Sequence, residues 1–216
     1  TTRTKQLQDN PIADLEYPKL RKSLPKYLTL EQSAALLKAV SGQNEKRDYA
    51  ILMLFLNCGI RRSELVNLNI SDVYEDRIRV IGKGNKERHV PLTPYLKKLL
   101  IKYLRIKQFY FDDKIIPYHN LLLSRTGNPL TKEALEHIFK QAAAQVEIRS
   151  EIRCSPHTAR HYFAQAHLRN GLDVYSVSRL LGHENINITK RYLQSLQDSC
   201  IVEMAVQTSP LRNMKV

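Results

Sequence analysis

The stretch Tyr49-Ala-Ile-Leu-Met-Leu-Phe-Leu56 decides where the core of this chain lies. Apolar side chains cover nearly every face of the helix that we predict over about residues 46–58, and a helix that is apolar all round is buried. Gly59 suits the position just past the end of this helix, because glycine adopts a left-handed conformation without strain. Residues 61–68 are predicted to form a short helix that leaves the buried one.

Around this central helix, the pattern of apolar runs and polar caps predicts a mostly helical domain of the α+β class with a small antiparallel sheet. Ser, Thr, Asp or Asn stands ahead of most apolar runs, as is typical of helix N-termini. These signals predict helices over about 29–40, 93–110, 131–146, 155–171 and 173–182, a short helix capped by Asn187 that carries Tyr192, and a last helix over 198–206.

The small sheet is predicted from two alternating stretches, residues 77–81 and 88–92, which flank Gly82-Lys-Gly-Asn-Lys86. Alternation on both sides of a glycine-rich turn is typical of a β-hairpin. Leu121-Leu-Leu-Ser124 is predicted to be a further short strand.

Composition indicates a partner with negative charge. Of the 216 residues, 34 are Lys or Arg and 21 are Asp or Glu, so the formal net charge is +13. The basic residues recur along the whole chain, which favours a surface that binds nucleic acid over a single basic tail. A protein that is merely basic remains the alternative on charge alone.

Several classes of protein are disfavoured by the sequence. No apolar run approaches the roughly 20 residues that span a bilayer, and residues 1–10 lack a signal-peptide pattern. Cys58, Cys154 and Cys200 are widely spaced, which favours reduced thiols in an intracellular, cytoplasmic protein. The absence of a Walker-type glycine loop disfavours a nucleotide-driven motor.

One set of residues could break a phosphodiester without a metal ion. Arg160 lies one helical turn after His157 at a predicted helix N-terminus, a place that favours phosphate. Arginine grips two phosphate oxygens and stays charged, and a lysine between glycines can deliver a proton. The set comprises Arg61, Lys83, His157, Arg160, His183 and Tyr192.

Taken singly, these residues have structural explanations. Arg61 suits an ion pair with Glu64, and Lys83 suits an exposed turn. His183 could serve a helix C-terminus, and Tyr192 could be a half-buried aromatic. A zinc site at His157 and His161, which stand four residues apart, would lack a third ligand. We therefore predict no metal and no cofactor.

The order of these motifs resembles that of the tyrosine recombinase (phage integrase) family, with Xer-type and integrative-element recombinases closest in appearance. The resemblance covers about residues 26–200, and every catalytic motif of the family has matching residues in this chain. It rests on Cys58-Gly-Ile-Arg-Arg-Ser-Glu-Leu65, Val80-Ile-Gly-Lys-Gly-Asn-Lys-Glu-Arg88, Ser155-Pro-His-Thr-Ala-Arg-His161, Leu180-Leu-Gly-His183 and Ile188-Thr-Lys-Arg-Tyr192.

The resemblance implies a recombinase catalytic fold and a role for each matching residue. Tyr192 would attack the scissile phosphate and form a 3′-phosphotyrosyl bond. Arg61 and Arg160 would clamp that phosphate, and His183 would hydrogen-bond it. Lys83 would protonate the leaving 5′-oxygen.

Two further roles complete the implied site. His157 would assist proton transfer at the tyrosine, and Glu64 would support the first arginine. Further contacts to DNA are predicted for Arg62, Lys86, Arg88 and Arg125.

The implied partners are duplex DNA at a specific site and, on two duplexes, further copies of the protein in a tetramer. Residues 1–28 are expected to be a linker from a missing N-terminal core-binding domain, 29–206 the catalytic domain, and 207–216 a flexible tail. Two alternatives stay open: a type IB topoisomerase-like enzyme, and a DNA-binding protein on this fold without catalysis.

Overall fold

The computed structural model describes residues 27–149, 151–194, 196 and 198–207. The predicted linker 1–28 and tail 207–216 therefore lie outside the described residues, apart from 27, 28 and 207. None of the helices described is long and apolar enough to cross a membrane. The elements are α1 (Leu30–Lys38), α2 (Glu45–Cys58), α3 (Arg62–Val66), β1 (Arg77–Ile81), β2 (Glu87–Pro91), α4 (Pro94–Tyr110), α5 (Lys132–Ala143), α6 (Pro156–Arg169), α7 (Val174–Leu181), α8 (Ile186–Leu193) and α9 (Asp198–Gln207).

Helix α2 is the centre of the core, as its all-round apolar character predicts. Every side chain from Ala50 to Leu56 is buried, and the helix packs against α1, α4, α5 and α6. Gly59 follows it with φ 57°. A Cβ there would stand 2.4 Å from the Phe163 ring of α6. Glycine is thus required both for the backbone conformation and for the close approach of α6.

The helix N-termini begin where polar caps were predicted, with one exception. Thr29 and Gln32 form a reciprocal capping box at α1. At α8 the cap is Asn185, whose side-chain oxygen accepts from the Asn187 N–H at 2.8 Å. The prediction that Asn187 caps this helix is wrong, because Asn185 holds the extended backbone from which a cap can reach the first turn.

The two-stranded sheet confirms the predicted hairpin. Ile78 pairs with Val90, and Ile81 pairs with Glu87, so the second strand begins one residue earlier than expected. The tip, Lys83–Asn85, is a 3₁₀ turn in which Gly84 and Asn85 have positive φ. Buried residues on the inner face hold the sheet against the helices.

The predicted strand at Leu121–Ser124 is not formed. Two isolated bridges lie here, one between Asn69 and Asn120 and one between Leu123 and Pro129. The leucines of this run are nevertheless buried. The apolar run therefore reflects burial in the core, and short bridges with two different partners satisfy its backbone.

Candidate active site

Three arginines converge on the C-terminal end of α7. The last carbonyls of this helix, those of residues 180–182, accept in turn from Arg88 Nε at 2.7 Å, Arg160 Nη2 at 2.6 Å and Arg61 Nη2 at 2.8 Å. A helix leaves its final carbonyls without partners and carries partial negative charge there. The arginines satisfy these carbonyls and are held together by them, although they come from distant parts of the chain.

Glu64 is the carboxylate that balances two of these cations. It accepts from the Arg61 N–H at 2.6 Å and from Arg61 Nη1 at 2.8 Å, and both its oxygens accept from Arg88, at 2.8 and 2.7 Å. Burial alone would raise its pKa, but the hydrogen bonds and charge of Arg88, together with the hydrogen bonds of Arg61, bring the pKa of Glu64 to about 2. The support expected of Glu64 toward Arg61 therefore has a direct geometric basis.

Arg88 is held inside the arginine cluster. We expected it to contact DNA, yet only 10% of its side chain is exposed and its guanidinium is bound to Glu64 and to the end of α7. Its predicted contact with DNA stays a prediction. The close packing of Gly182, where a Cβ would lie 3.0 Å from the Arg88 side chain, shows the same enclosure.

Arg160 projects from the first turn of α6 and is buried. Besides the end of α7, its guanidinium donates to the carbonyl of Gly59. Burial, followed by the positive charges of Arg61 and Arg88, lowers the pKa of Arg160 to about 9. It is therefore still a cation at neutral pH, held in a fixed orientation close to Arg61.

A cavity of about 940 Å³ lies over this arginine cluster. Arg61, whose side chain is 37% exposed, reaches into its wall. Lys83 and Lys86 line it from the hairpin tip, and His183 lines it from the loop after α7. The structure thus brings an arginine, two lysines and an imidazole around one space, which suits an anion with several oxygens.

The loop after α7 orients His183. Gly182 is left-handed with φ 63°, and the His183 ring then meets Thr189 of α8, with 2.7 Å between Nδ1 and Oγ1. Burial and the charges of Arg160 and Arg61 lower the pKa of His183 to about 4, so the ring is neutral at pH 7. With Nδ1 engaged, any further hydrogen bond of the ring is made through Nε2.

The hairpin tip is tied to the same loop through an exposed ion pair. Lys86 Nζ lies 2.7 Å from Glu184 Oε1, and both side chains are largely exposed. Exposed pairs of this kind contribute little to stability. Lys83 is also exposed, on a turn with two residues of positive φ. The sheet thus places the tip at the cavity, and Lys83 is not buried there.

Tyr192 lies inside the domain on α8 and is only 4% exposed. Its ring meets His161 of α6 edge to face, with 5.2 Å between centroids. Its backbone carbonyl accepts from Gln165 at 2.8 Å. Burial raises the pKa of the Tyr192 phenol, and the charge of Arg160 lowers it. The Tyr192 ring is therefore buried against α6 and within the electrostatic influence of Arg160, and the phenol needs help to lose its proton.

His157 is connected to Tyr192 through His161. The Nε2 atoms of His157 and His161 are 2.7 Å apart, and His161 is the ring that contacts Tyr192. From the sequence, His161 was considered only as a metal ligand. The signal that could have found it is its spacing of four residues from His157, which places the two rings side by side on α6.

Two predicted DNA contacts lie apart from the cavity. Arg62 forms an ion pair with Glu136, which joins α3 to α5. Arg125 lines a separate cavity of about 300 Å³, together with Lys46 and Lys107. Contacts of Arg62, Lys86, Arg88 and Arg125 with DNA stay predictions.

We expect Glu64→Gln to destabilise the fold by ~3–5 kcal/mol, toward the lower end because Arg61 is partly exposed. The neutral amide leaves two arginines without their counter-charge. The depressed pKa of Glu64 means that its contribution is complete above its ordinary value of 4.5 and is lost as pH falls toward about 2. Urea unfolding at pH 7 and through this acid window measures both effects.

The matched control for this prediction is Glu184→Gln, since Glu184 is the exposed partner of Lys86. It should leave the urea midpoint nearly unchanged. The Glu64 variant should also lose less stability than the wild type as pH falls from about 4.5 to about 2. Equal midpoint shifts in the two variants would contradict the role of Glu64.

Comparison with known proteins gives a consistent set of relatives. The phage integrase family model matches residues 26–199. Tyrosine recombinase XerC of Caldanaerobacter subterraneus is 38% identical over 212 residues, which covers 97% of this chain and 58% of the relative. The crystal structure of XerA recombinase aligns with a TM-score of 0.72 and 30% identity, over 90% of this chain and 67% of that one.

A structure of XerH bound to its difH substrate before cleavage aligns with a TM-score of 0.66 and 25% identity, over 87% of this chain and 55% of that one. The chain spans 58% and 62% of the length of two curated XerC relatives, from Caldanaerobacter subterraneus and Staphylococcus epidermidis.

Proposed function

Because the chain belongs to the phage integrase family, we propose that it cuts and rejoins duplex DNA at a specific site through a 3′-phosphotyrosyl intermediate. The observation that carries the proposal is the juxtaposition of Arg61, Arg160 and His183 around the end of α7, with Tyr192 docked on the next helix. This arrangement offers fixed cations to a phosphodiester and a nucleophile beside them.

The arginines and His183 would hold the scissile phosphate. Negative charge grows on the non-bridging oxygens when the phosphate is attacked, and preorganised donors stabilise that charge without having to reorganise. Arg160 is held in place by Gly59 and α7. Arg61 is held by Glu64, and the neutral His183 would donate one further hydrogen bond.

Tyr192 and Lys83 would carry out the exchange of bonds. The Tyr192 oxygen forms a bond to phosphorus as the bond to the 5′-oxygen breaks, and Lys83 supplies the proton that this leaving oxygen takes. The phosphotyrosyl bond keeps the energy of the original phosphodiester, so a second 5′-hydroxyl can attack it without ATP. No step in this sequence calls for a metal ion.

We assign this chemistry to residues 29–206, with duplex DNA as the substrate. The DNA-bound XerH structure supports a DNA partner, and the net charge of +13 agrees with one. Exchange between two duplexes needs several active sites, and we infer a tetramer for the complete protein. Because the proposed substrate is DNA and the relatives come from bacteria, we infer that the protein acts in the cytoplasm on nucleoid DNA.

Covalent trapping tests the proposed function. The complete gene product is incubated with nicked suicide duplexes made from the DNA that flanks its own gene, and the products are separated on a denaturing gel. We expect a protein–DNA adduct and transfer of the cut strand to a second duplex. DNA relaxation without transfer would indicate a topoisomerase-like enzyme, and binding without an adduct would indicate a protein that binds DNA only.

We expect Lys83→Ala to slow adduct formation by about 10²–10⁴-fold, the range typical of a general acid. The matched control is Lys86→Ala, which removes a lysine from the same turn and should have a far smaller effect. A substrate with a bridging 5′-sulfur needs no proton on its leaving group and should restore cleavage by the Lys83 variant. If Lys86→Ala shows the larger, sulfur-rescued loss, the acid is misassigned.

A further inference from the structure

A line of three rings leads from the proposed nucleophile toward solvent. Tyr192 contacts His161 edge to face, with 5.2 Å between ring centroids. His161 contacts His157 at 4.1 Å between centroids. Tyr192 is buried, His161 is partly buried and His157 is exposed. The line therefore connects the buried tyrosine ring with the surface of the protein, while His161 Nδ1 makes no hydrogen bond to the phenol oxygen in this conformation.

The two imidazoles share a single proton at their contact. Burial lowers the pKa of His161 to about 4, helped by the charges of His157 and Arg160, and burial also lowers the pKa of His157. Both rings are then neutral at pH 7. Their Nε2 atoms are 2.7 Å apart, so one nitrogen donates and the other accepts.

The remaining nitrogen of His161 decides between the two tautomers. Its Nδ1 is buried and has no hydrogen-bond partner among the residues that the structure describes. If His157 were the donor, Nδ1 would carry an N–H with no acceptor. Orphaned buried N–H groups are rarer than unpaired acceptors. His161 is thus the donor to His157, and its Nδ1 is a bare lone pair.

We propose that His161 takes the phenol proton of Tyr192 during strand cleavage and passes a proton through His157 to solvent. This inference rests on the proposed function and assigns a proton-transfer role to a residue other than His157. His157, to which the resemblance assigns that role, becomes the outer member of the pair. Lys83 acts separately, on the leaving group.

The proton transfers balance. The Tyr192 oxygen loses its proton to His161 Nδ1 as it bonds to phosphorus. His161 gives its Nε2 proton to His157 Nε2, and His157 gives its Nδ1 proton to water. Both imidazoles end neutral, each in its other tautomer. Return of a proton by the same route restores the phenol when the second strand attacks the phosphotyrosyl bond.

The test compares His161→Phe and His161→Gln in the complete gene product, by the rate of adduct formation on the nicked duplex. Phe keeps a ring against Tyr192, and Gln keeps a hydrogen-bonding group near the position of Nε2. Neither can accept and pass on a proton. We expect both to slow cleavage by at least about 10²-fold while DNA binding is retained. Should the Phe variant fail to fold, the Gln variant carries the test.

A second measurement separates proton transfer from packing. Each protein is also made with 3,5-difluorotyrosine at position 192, whose phenol ionises more readily. A phenol that is already ionised has no proton to transfer, so most of the loss in the His161 variants should disappear. The substrate with a bridging 5′-sulfur should not restore the cleavage rate of the His161 variants, because it removes only the need to protonate the leaving group.

The other outcomes overturn the inference. A wild-type rate for His161→Gln would mean that His161 only orients His157, and a wild-type rate for His161→Phe would mean that it has no role. A loss that persists with fluorinated Tyr192 would mean that the role is packing. If the wild-type protein itself forms no adduct, the proposed function fails, and this inference fails with it.

Discussion

Tyr192→Phe is expected to abolish the covalent protein–DNA adduct and to leave DNA binding nearly unchanged. The substitution removes one hydroxyl and keeps the ring that meets His161. The contact from Gln165 is to the Tyr192 backbone carbonyl, so it also persists. Without the hydroxyl no oxygen can bond to phosphorus, and the loss should be complete. A denaturing gel measures the adduct, and a mobility-shift titration measures binding.

Tyr175→Phe is the matched control, because Tyr175 is a tyrosine on the neighbouring helix α7 with 62% of its surface exposed. It should form the adduct at the wild-type rate. An adduct from Tyr192→Phe equal to that of the control would show that the nucleophile is another residue.

Arg160→Ala is expected to reduce adduct formation by at least about 10³-fold. Arg160 is a buried cation whose guanidinium is held by Gly59 and by the end of α7, so it would meet the phosphate without reorganising. The same substitution leaves these two carbonyls without their donor. The free energy of unfolding should therefore fall as well, by about 1–3 kcal/mol for each buried group left unpaired.

Two further variants separate charge from geometry at this position. Arg160→Lys keeps the charge and loses the planar fork, so its activity should lie between those of the wild type and the Ala variant. Arg169→Ala removes an exposed arginine from the other end of α6 and should cleave normally. Cleavage by Arg160→Ala within tenfold of the wild type would exclude the proposed clamp.

The sequence predicted those structural elements well that depend on residues close together along the chain. The Thr29 capping box, the left-handed Gly59 and the hairpin around Gly82–Lys86 depend on residues a few positions apart. The predicted strand at 121–124 failed because a buried apolar run looks the same whether its backbone pairs in a sheet or packs in a core.

The candidate site was predicted less completely, because its contacts join distant parts of the chain. That Arg88 binds Glu64 and α7 instead of facing solvent depends on a contact 92 residues away. The place of His161 between His157 and Tyr192 depends on how α8 packs against α6. No local pattern carries that information. The roles assigned from the family resemblance stay predictions for the experiments described above.

The arginine cluster at the end of α7 links catalysis to the integrity of the fold. Arg61 reaches residues 180–182 from the start of α3, Arg88 from β2 and Arg160 from α6, so one helix end connects three segments that are far apart in sequence. Fraying of that single turn would remove one hydrogen-bond acceptor from all three guanidiniums at once and, among the residues that the structure describes, leave Arg61 and Arg88 held only by Glu64 and Arg160 only by Gly59. Activity and resistance to local unfolding should therefore be lost together, in one cooperative step, when the last turn of α7 is weakened.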